Sequence, residues 1–275
     1  MKKSFFKPDV TIQLIANSGV LVTWGSRRFL VDGIYGKNRF FSPPQKEMQK
    51  AVFGMESVYR DVDVVFVTHR HTDHFDAAYV DEYAANNAVR GIYVPRAGQD
   101  PHSFLEDRRP LPKAETRGIL QEVSAAEGER ITIPLGGSCK AVFLPTRHLD
   151  WRSYRAVLHC SLLLELGGRR ILLAADADHC AENQRAFMTE EPLDVVLVTP
   201  LFLSVPQGRR ILEEMRPGQV VLYHIPFAPD DVSKLRDLVN RELMQSYAFP
   251  LTAFMESGDQ ISLSAEGPET TDLPI

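Results

Sequence analysis

DVVFVTHRHTDHFD, residues 63–76, decides how this chain is read. Its opening, Asp63–Thr68, is a continuous apolar run, the pattern of a strand buried on both faces. Three histidines and an aspartate then fall within six residues: His69, His71, Asp73 and His74. Imidazole and carboxylate are preferred ligands of zinc and neighbouring first-row metals. Residues two apart in an extended segment point the same way, so His69 and His71 can grip one ion together. Asp73 and His74 come where the chain turns into a helix, so they aim at a neighbouring position. A lone histidine here would read as a surface or satisfied core residue. Four potential ligands at the exit of a buried strand read as a metal site.

Upstream, Thr11–Ala16, Gly19–Trp24 and Arg28–Val31 alternate as a β-meander ending at Asp32-Gly33, with turns at Asn17-Ser18-Gly19 and Gly25-Ser26. Residues 35–60 are irregular, part of them helical after Pro43-Pro44, and a connection of this length suits a lid or binding loop. Downstream, Asp76–Asn87 places Ala77, Val80, Tyr83 and Ala84 on one helical face. Further strands are predicted at Ile92–Pro95, Ile119–Val123, Arg130–Pro134, Lys140–Pro145, Val157–Leu166, Arg170–Ala175, Asp194–Thr199, Gln219–Tyr223, Thr252–Met255 and Gln260–Ser264. Helices are predicted at Ala97–Leu105, Glu182–Thr189, Gly208–Met215 and Asp230–Leu243, the last opened by Pro229 and two acids. Residues 1–264 read as one domain and residues 265–275 as a polar, disordered tail.

A weak repeat runs through this pattern. Arg27–Asp32 resembles Arg169–Ala174, and DVVFVT (Asp63–Thr68) resembles DVVLVT (Asp194–Thr199). Two similar β-rich halves with helices between them suggest two sheets packed face to face, with helices outside. Pro200-Leu201-Phe202 stands where the first half has His69-Arg70-His71, so one half alone carries the polar chemistry. Three more candidate ligands sit at ends of apolar strands: His148 after Ala141–Pro145, Asp176 after Ile171–Ala175 and His224 after Val220–Tyr223. Such positions suit ligands because a rigid sheet fixes their directions.

Taken in order, His69-x-His71-x-Asp73-His74, His148, Asp176 and His224 resemble the ligand motifs of the metallo-β-lactamase superfamily, over residues 10 to 264. Asp32 resembles that superfamily's first acid. The resemblance implies an α/β fold, a four-layer αββα sandwich with the site on one edge. It implies two divalent metal ions, zinc by default with manganese or iron as alternatives. His69, His71 and His148 would hold one, Asp73, His74 and His224 the other, and Asp176 would bridge them. The family usually has Gly before the bridging acid; here Ala175 stands there, and Asp178 is a rival. His71 occupies the position where members with two redox irons carry Glu, which favours hydrolysis. Two cations about 3.5–4 Å apart can share a water and lower its pKa toward about 7, giving a hydroxide nucleophile. Asp73 and Asp32 are the candidate catalytic acids. Asp73 would orient that water, while Asp32 would hydrogen-bond a ligand histidine or a loop amide, or serve only as a turn acid.

The loop Leu149–Arg155 offers a substrate reading. Arg147, Arg152 and Arg155, with two aromatics, suggest a small anionic substrate, since arginine binds such groups bidentately; a solvated surface loop is the alternative. This loop and Tyr223–Pro226 loosely resemble the branch containing L-ascorbate-6-phosphate lactonase and N-acylphosphatidylethanolamine phospholipase D. The expected function is a dinuclear hydrolase of an ester, lactone or phosphodiester; the alternative is a non-catalytic metal- or ligand-binding protein. His102, His159 and His179 read as incidental.

Composition sets the outer bounds. The 275 residues carry a net charge of −5, and no basic excess marks a general nucleic-acid binder, which also disfavours a nuclease. Lys7-Pro8 interrupt the N-terminus before any signal-like apolar region, and no apolar run approaches the roughly 18 residues of a membrane helix. A cytoplasmic protein without a membrane partner is expected, with its oligomeric state open. Cys139, Cys160 and Cys180 are odd in number and lack CxxC spacing, so neither a disulfide framework nor a cysteine zinc site is expected.

Overall fold

The computed structural model describes residues 9–36, 46–57, 59–98, 105–110 and 118–264. Period-two alternation builds the first strand: in β1 (Val10–Leu14), Val10, Ile12 and Leu14 are buried while Thr11 and Gln13 are half-buried. Seven strands make the first sheet, in the order β14 (Gln260–Leu263), β1, β2 (Val20–Trp24), β3 (Arg27–Val31), β4 (Val64–Phe66), β5 (Gly91–Pro95) and β6 (Leu120–Val123). A second sheet of seven runs β13 (Leu251–Ala253), β12 (Gln219–Leu222), β11 (Val195–Val198), β10 (Arg169–Leu173), β9 (Cys160–Leu166), β8 (Cys139–Pro145) and β7 (Ile131–Gly136).

Three apolar layers hold the sheets. Between them lie Ile12, Phe29, Phe66, Phe143, Leu162 and Leu197, with Phe66 meeting Phe143 edge-on at 6.0 Å between ring centres. Outside the first sheet, Leu30, Val65 and Ile92 pack on α1 (Lys46–Val52) and α2 (Ala77–Asn86). Outside the second, Leu172 and Val196 pack on side chains of α4 (Ala181–Phe187), α5 (Pro200–Ser204), α6 (Pro206–Met215) and α7 (Leu235–Leu243). A further α-helix among the described residues, α3 (Trp151–Tyr154), is one turn after β8. The result is a helix–sheet–sheet–helix sandwich. Strand β4 shows why its sequence is unbroken apolar: Phe66 faces the other sheet while Val65 faces the helices.

The sequence repeat has a structural counterpart. Both β3–β4 and β10–β11 are parallel, with Phe29 opposite Val64 and Ile171 opposite Val195. Asp63 Oδ2 accepts the Arg28 amide at 2.9 Å, and Asp194 Oδ2 accepts the Arg170 amide at 2.8 Å. The acid opening each buried strand therefore clips it to the strand before.

Several expectations need correction. Asp230–Leu243 is not one helix: a 3-10 turn at Ala228–Asp230 precedes α7, which begins at Leu235. The Asp231 carboxylate accepts the amides of Leu235 at 2.7 Å and Arg236 at 3.0 Å, so this acid caps the helix from outside it. Trp151–Tyr154 and Pro200–Ser204, not predicted as helices, each form a short one. In the expected lid, α1 buries Met48, Ala51 and Val52, and Asn87 Nδ2 donates to Ala51 O at 2.7 Å, tying α1 to the end of α2. Residues 37–45, His102, most of the Ala97–Leu105 helix and the tail 265–275 lie outside the described residues. No helix among the described residues is long and apolar enough to cross a membrane.

Candidate metal centre

Every candidate ligand lies just past the carboxyl end of a strand: His69–His74 after β4, His148 after β8, Asp176 after β10 and His224 after β12. These ends meet at one edge of the sandwich. Two groups of ligand atoms result, each with all its atoms within 4.8 Å of one another. One is His69, His71, His148 and Asp176; the other is Asp73, His74, Asp176 and His224. Asp176 belongs to both. Its Oδ2 lies 3.7 Å from His69 Nε2, 3.4 Å from His148 Nε2 and 3.4 Å from His74 Nε2, while Oδ1 lies 3.5 Å from His224 Nε2. The rival Asp178 turns away, accepting the His179 amide at 2.7 Å.

The imidazoles are aimed by what holds their outer nitrogens. His74 Nδ1 donates to Asp32 Oδ2 at 3.0 Å, and His69 Nδ1 lies 3.1 Å from Thr68 Oγ1, which itself donates to Asp32 Oδ2 at 2.6 Å. His148 Nδ1 donates to Leu149 O at 2.5 Å, and His224 Nδ1 donates to Asn17 Oδ1. In the neutral ring each outer nitrogen keeps the single proton, so each Nε2 can offer a lone pair to a cation. Asp32 thus stands behind His74, fully buried, and also accepts the Thr68 amide at 2.8 Å. It reaches both a ligand histidine and a loop amide, and the opening of the site is not among its contacts.

Charge follows this geometry. Burial, then His74 and His71, holds His69 well below its ordinary value. Burial, then His148, lowers His71 to about 4. For His74, burial is outweighed by Asp176, Asp32 and Asp73, which raise it well above the usual imidazole range. His224 is likewise pushed up to about 9 against burial, chiefly by Asp176. Burial is also outweighed at Asp73, lowered by His74, and at Asp176, lowered well below the carboxylate range by His224 and His74. Asp73, Asp176, His69 and His71 thus already favour the states a cation requires, whereas His74 and His224 must give up a proton to it.

The donor set fits metal. His69, His71 and His148 each bury an Nε2 with no hydrogen-bond partner among the described residues, a cost that a bound cation would remove. Two ligands each 2.0–2.1 Å from a tetrahedral ion stand about 3.4 Å apart, close to the spacings around Asp176. Three backbone positions at the site carry strain: Asp32 at φ 50°, His224 at φ 57° and the fully buried Ala175 at φ 52°, where a side chain costs about 1–2 kcal/mol and glycine nothing. The turn at Ala175 delivers Asp176 from β10 into the site.

The arginines divide. A cavity of about 290 Å³ beside His148 is lined by Arg147, Trp151, Tyr154 and Arg155. Arg147, however, is engaged: it pairs with Glu127 at 3.2 Å and Glu182 at 3.1 Å, and stacks on Trp151. Arg152 is exposed and does not line that cavity. Arg155 is the arginine of the three that lines it without such pairs among the described residues. A larger cavity of about 600 Å³ lies across Arg147, toward Arg130 and Arg185, but does not include His148.

Three contributors were not legible as such, and a fourth, Tyr154, was legible only as an aromatic of the substrate loop. Asn17 looked like a turn residue, and Thr68 like the end of a strand. Tyr154 packs its ring 4.8 Å from that of His71 and 4.7 Å from that of His148. His159, set aside as incidental, is buried with its ring 4.9 Å from that of His69 and Nδ1 at 2.8 Å from Thr146 Oγ1. It stands at the start of an apolar strand, whereas each candidate ligand follows one, so its position gave no such signal.

The family profile described as beta-lactamase superfamily domain matches residues 27–225. No curated protein matches the chain. Among solved structures, Igni18, a metallo hydrolase from the archaeon Ignicoccus hospitalis, is 15% identical with a TM-score of 0.58, over 93% of this chain and 99% of that one. An isothiocyanate hydrolase from Delia radicum gut bacteria is 13% identical with a TM-score of 0.56, over 93% of this chain and 100% of that one. CmlA, a diiron β-hydroxylase from Streptomyces venezuelae, is 17% identical with a TM-score of 0.58; the match covers 94% of this chain and 54% of CmlA. At these identities the likeness is one of fold.

Proposed function

The chain belongs to the beta-lactamase superfamily, and on that premise we propose that it is a dinuclear metal-dependent hydrolase. The observation that carries this reading is Asp176, whose two carboxylate oxygens lie between two groups of histidines. Bound there, two divalent cations, zinc by default, would activate a shared water and polarise the scissile bond. His69, His71 and His148 would hold the first, Asp73, His74 and His224 the second, with Asp176 common to both.

The chain's own groups supply orientation. Asp32, Thr68 and Asn17 fix three ring tautomers, so the ligand atoms are aimed before anything binds. Asp73 Oδ2 lies 3.3 Å from His224 Nε2, at the inner wall, where it can accept a proton from an attacking water. Tyr154 and Arg155 line the cavity beside His148 and would meet the substrate. One arginine without a paired acid among the described residues suits a substrate with a single anionic group. An ester, lactone or phosphodiester is the favoured class, in keeping with the loose resemblance of this loop to the lactonase and phosphodiesterase branch. His71 in the place of the redox family's Glu favours hydrolysis over oxidation.

Purified protein loaded with zinc or manganese should cleave bis(p-nitrophenyl) phosphate or a simple acyl lactone, and His71→Ala should reduce turnover to background. Bound metal with no cleavage across broad ester, lactone and phosphodiester panels would instead leave a metal-binding protein without turnover.

A further inference from the structure

A second polar cavity lies on the other flank of the ligand motif. It encloses about 190 Å³ beside β5 and β6 and is lined by Arg70, Arg96, Arg108 and Arg109, with Glu122 as the acid in its wall. Four arginines face four acids here, but the pairing is uneven. Arg108 pairs with the buried Glu106 at 3.1 Å, and Arg109 pairs with Asp107 at 2.7 Å and Asp76 at 3.0 Å. Arg70 and Arg96 are left to share Glu122, at 3.9 and 3.8 Å, too far for a hydrogen bond and half exposed to water.

Arg70 is the unusual member. It is 4% exposed, stacked over the Phe75 ring at 4.8 Å, and donates through Nη2 to Arg109 O at 2.6 Å. Its Nε is buried with no hydrogen-bond partner among the described residues. An orphaned guanidinium donor inside a protein is costly, so it calls for an acceptor. Guanidinium forks match tetrahedral oxyanions, and the cavity has room for one such group but not for a nucleoside behind it.

We propose that this cavity is a binding site for a phosphoryl dianion, held by Arg70 and Arg96 with Arg108 at its side. The ligand is inorganic phosphate or a phosphomonoester whose remaining part stays outside. The site is distinct from the metal centre yet joined to it. Arg70 stands between the ligands His69 and His71, its carbonyl accepts the Asp107 amide at 2.8 Å, and Thr72 donates to Leu105 O at 2.9 Å. An anion clamped across Arg70, Arg96 and Arg108 would therefore tie the segment Leu105–Pro110 and the strand edge to the loop that carries the metal ligands.

The test is calorimetric titration of the full chain with inorganic phosphate and, separately, with glycerol phosphate. Phosphate also binds exposed metals, so the titrations are repeated on His71→Ala and on chelator-treated wild type. Arg96→Ala and Arg96→Glu report on the cavity; Arg96 is largely exposed, so neither change should disturb folding. Saturable one-site binding that survives loss of metal and weakens about tenfold or more in Arg96→Ala is the expected result. Equal binding of glycerol phosphate would identify a phosphomonoester as ligand, and its exclusion would identify the free ion. Absence of saturable binding at tens of millimolar, or binding that ignores both Arg96 variants, would overturn the proposal. Neither outcome bears on whether the metal centre hydrolyses a substrate.

Discussion

Asp32→Asn tests the tautomer argument with almost no change of shape. Three donors converge on this carboxylate: the Thr68 amide at 2.8 Å on Oδ1, and the Thr68 hydroxyl at 2.6 Å and His74 Nδ1 at 3.0 Å on Oδ2. The Thr68 amide can only donate, so the asparagine oxygen must take the Oδ1 place. Its NH2 group then occupies the Oδ2 place and faces His74 Nδ1 with a hydrogen. His74 must give up its Nδ1 proton and carry it on Nε2, the atom that should ligate the second metal. Reversal of a hydrogen bond behind a ligand histidine weakens metal binding about 10–100-fold, or about 1.4–2.7 kcal/mol. The first site, whose His69 is one hydrogen bond further away through Thr68, should weaken less. Zinc titration with elemental analysis after dialysis should find loss concentrated in one of two sites, and nitrogen NMR of the imidazoles should find the His74 proton moved. Two zinc ions bound with undiminished affinity, and His74 still protonated at Nδ1, would refute the reasoning.

Asn17→Ala removes the acceptor of His224 Nδ1, so it too should weaken the second metal about tenfold in the same titration. Without metal, the melting temperature should peak near about pH 6.5. His71, lowered to about 4 by burial and then His148, contributes fully above its unfolded value and loses that contribution as pH falls through about 4. His224, raised to about 9 against burial by Asp176, contributes fully below its unfolded value and loses it as pH rises through about 9. Zinc should abolish the alkaline decline, and a metal-free melting curve that keeps rising through that range would contradict the assignment. Gly19→Ala should destabilise the protein by about 1–3 kcal/mol in chemical denaturation, because the added Cβ would stand 2.7 Å from the Gly33 Cα, a backbone atom that cannot swing aside.

Local pattern carried most of the fold. The alternation of β1, the doubly apolar β4 and the Gly167-Gly168 turn between β9 and β10 each depend on neighbours in sequence, so their boundaries fall within a few residues of those predicted. The grouping of candidate ligands was legible for the same reason: each member follows an apolar strand. What escaped depends on partners far away. Arg147 reads as a free cation until Glu127 and Glu182, 20 and 35 residues distant, are brought against it. Asn17 is a turn residue until His224, 207 positions later, arrives at its oxygen. At Asp231 the failure was one of competition, since a carboxylate that can open a helix can equally hold the chain outside it.

The pseudo-symmetry explains why two halves with similar strands built one centre. Strands β1 and β8 hold matching places, each antiparallel to the next strand in its own half. Asn17 comes three residues after Leu14, the end of β1, and His148 three residues after Pro145, the end of β8. Both side chains turn to the same edge, one to support His224 and the other to face the first metal position. At the matched ends of β4 and β11 the halves part company. After β4 the chain stays irregular and exposes His69 and His71 to the centre. After β11, Pro200 starts helix α5 at once and sends Phe202 and Leu203 into the outer core. Proline suits a helix's first position, where its missing N–H costs nothing. That single exit commits the strand end to packing, and with it the second half loses the place where a histidine pair would stand. Replacement of Pro200 alone would therefore not create a ligand loop, because Phe202 and Leu203 still anchor the helix beneath it.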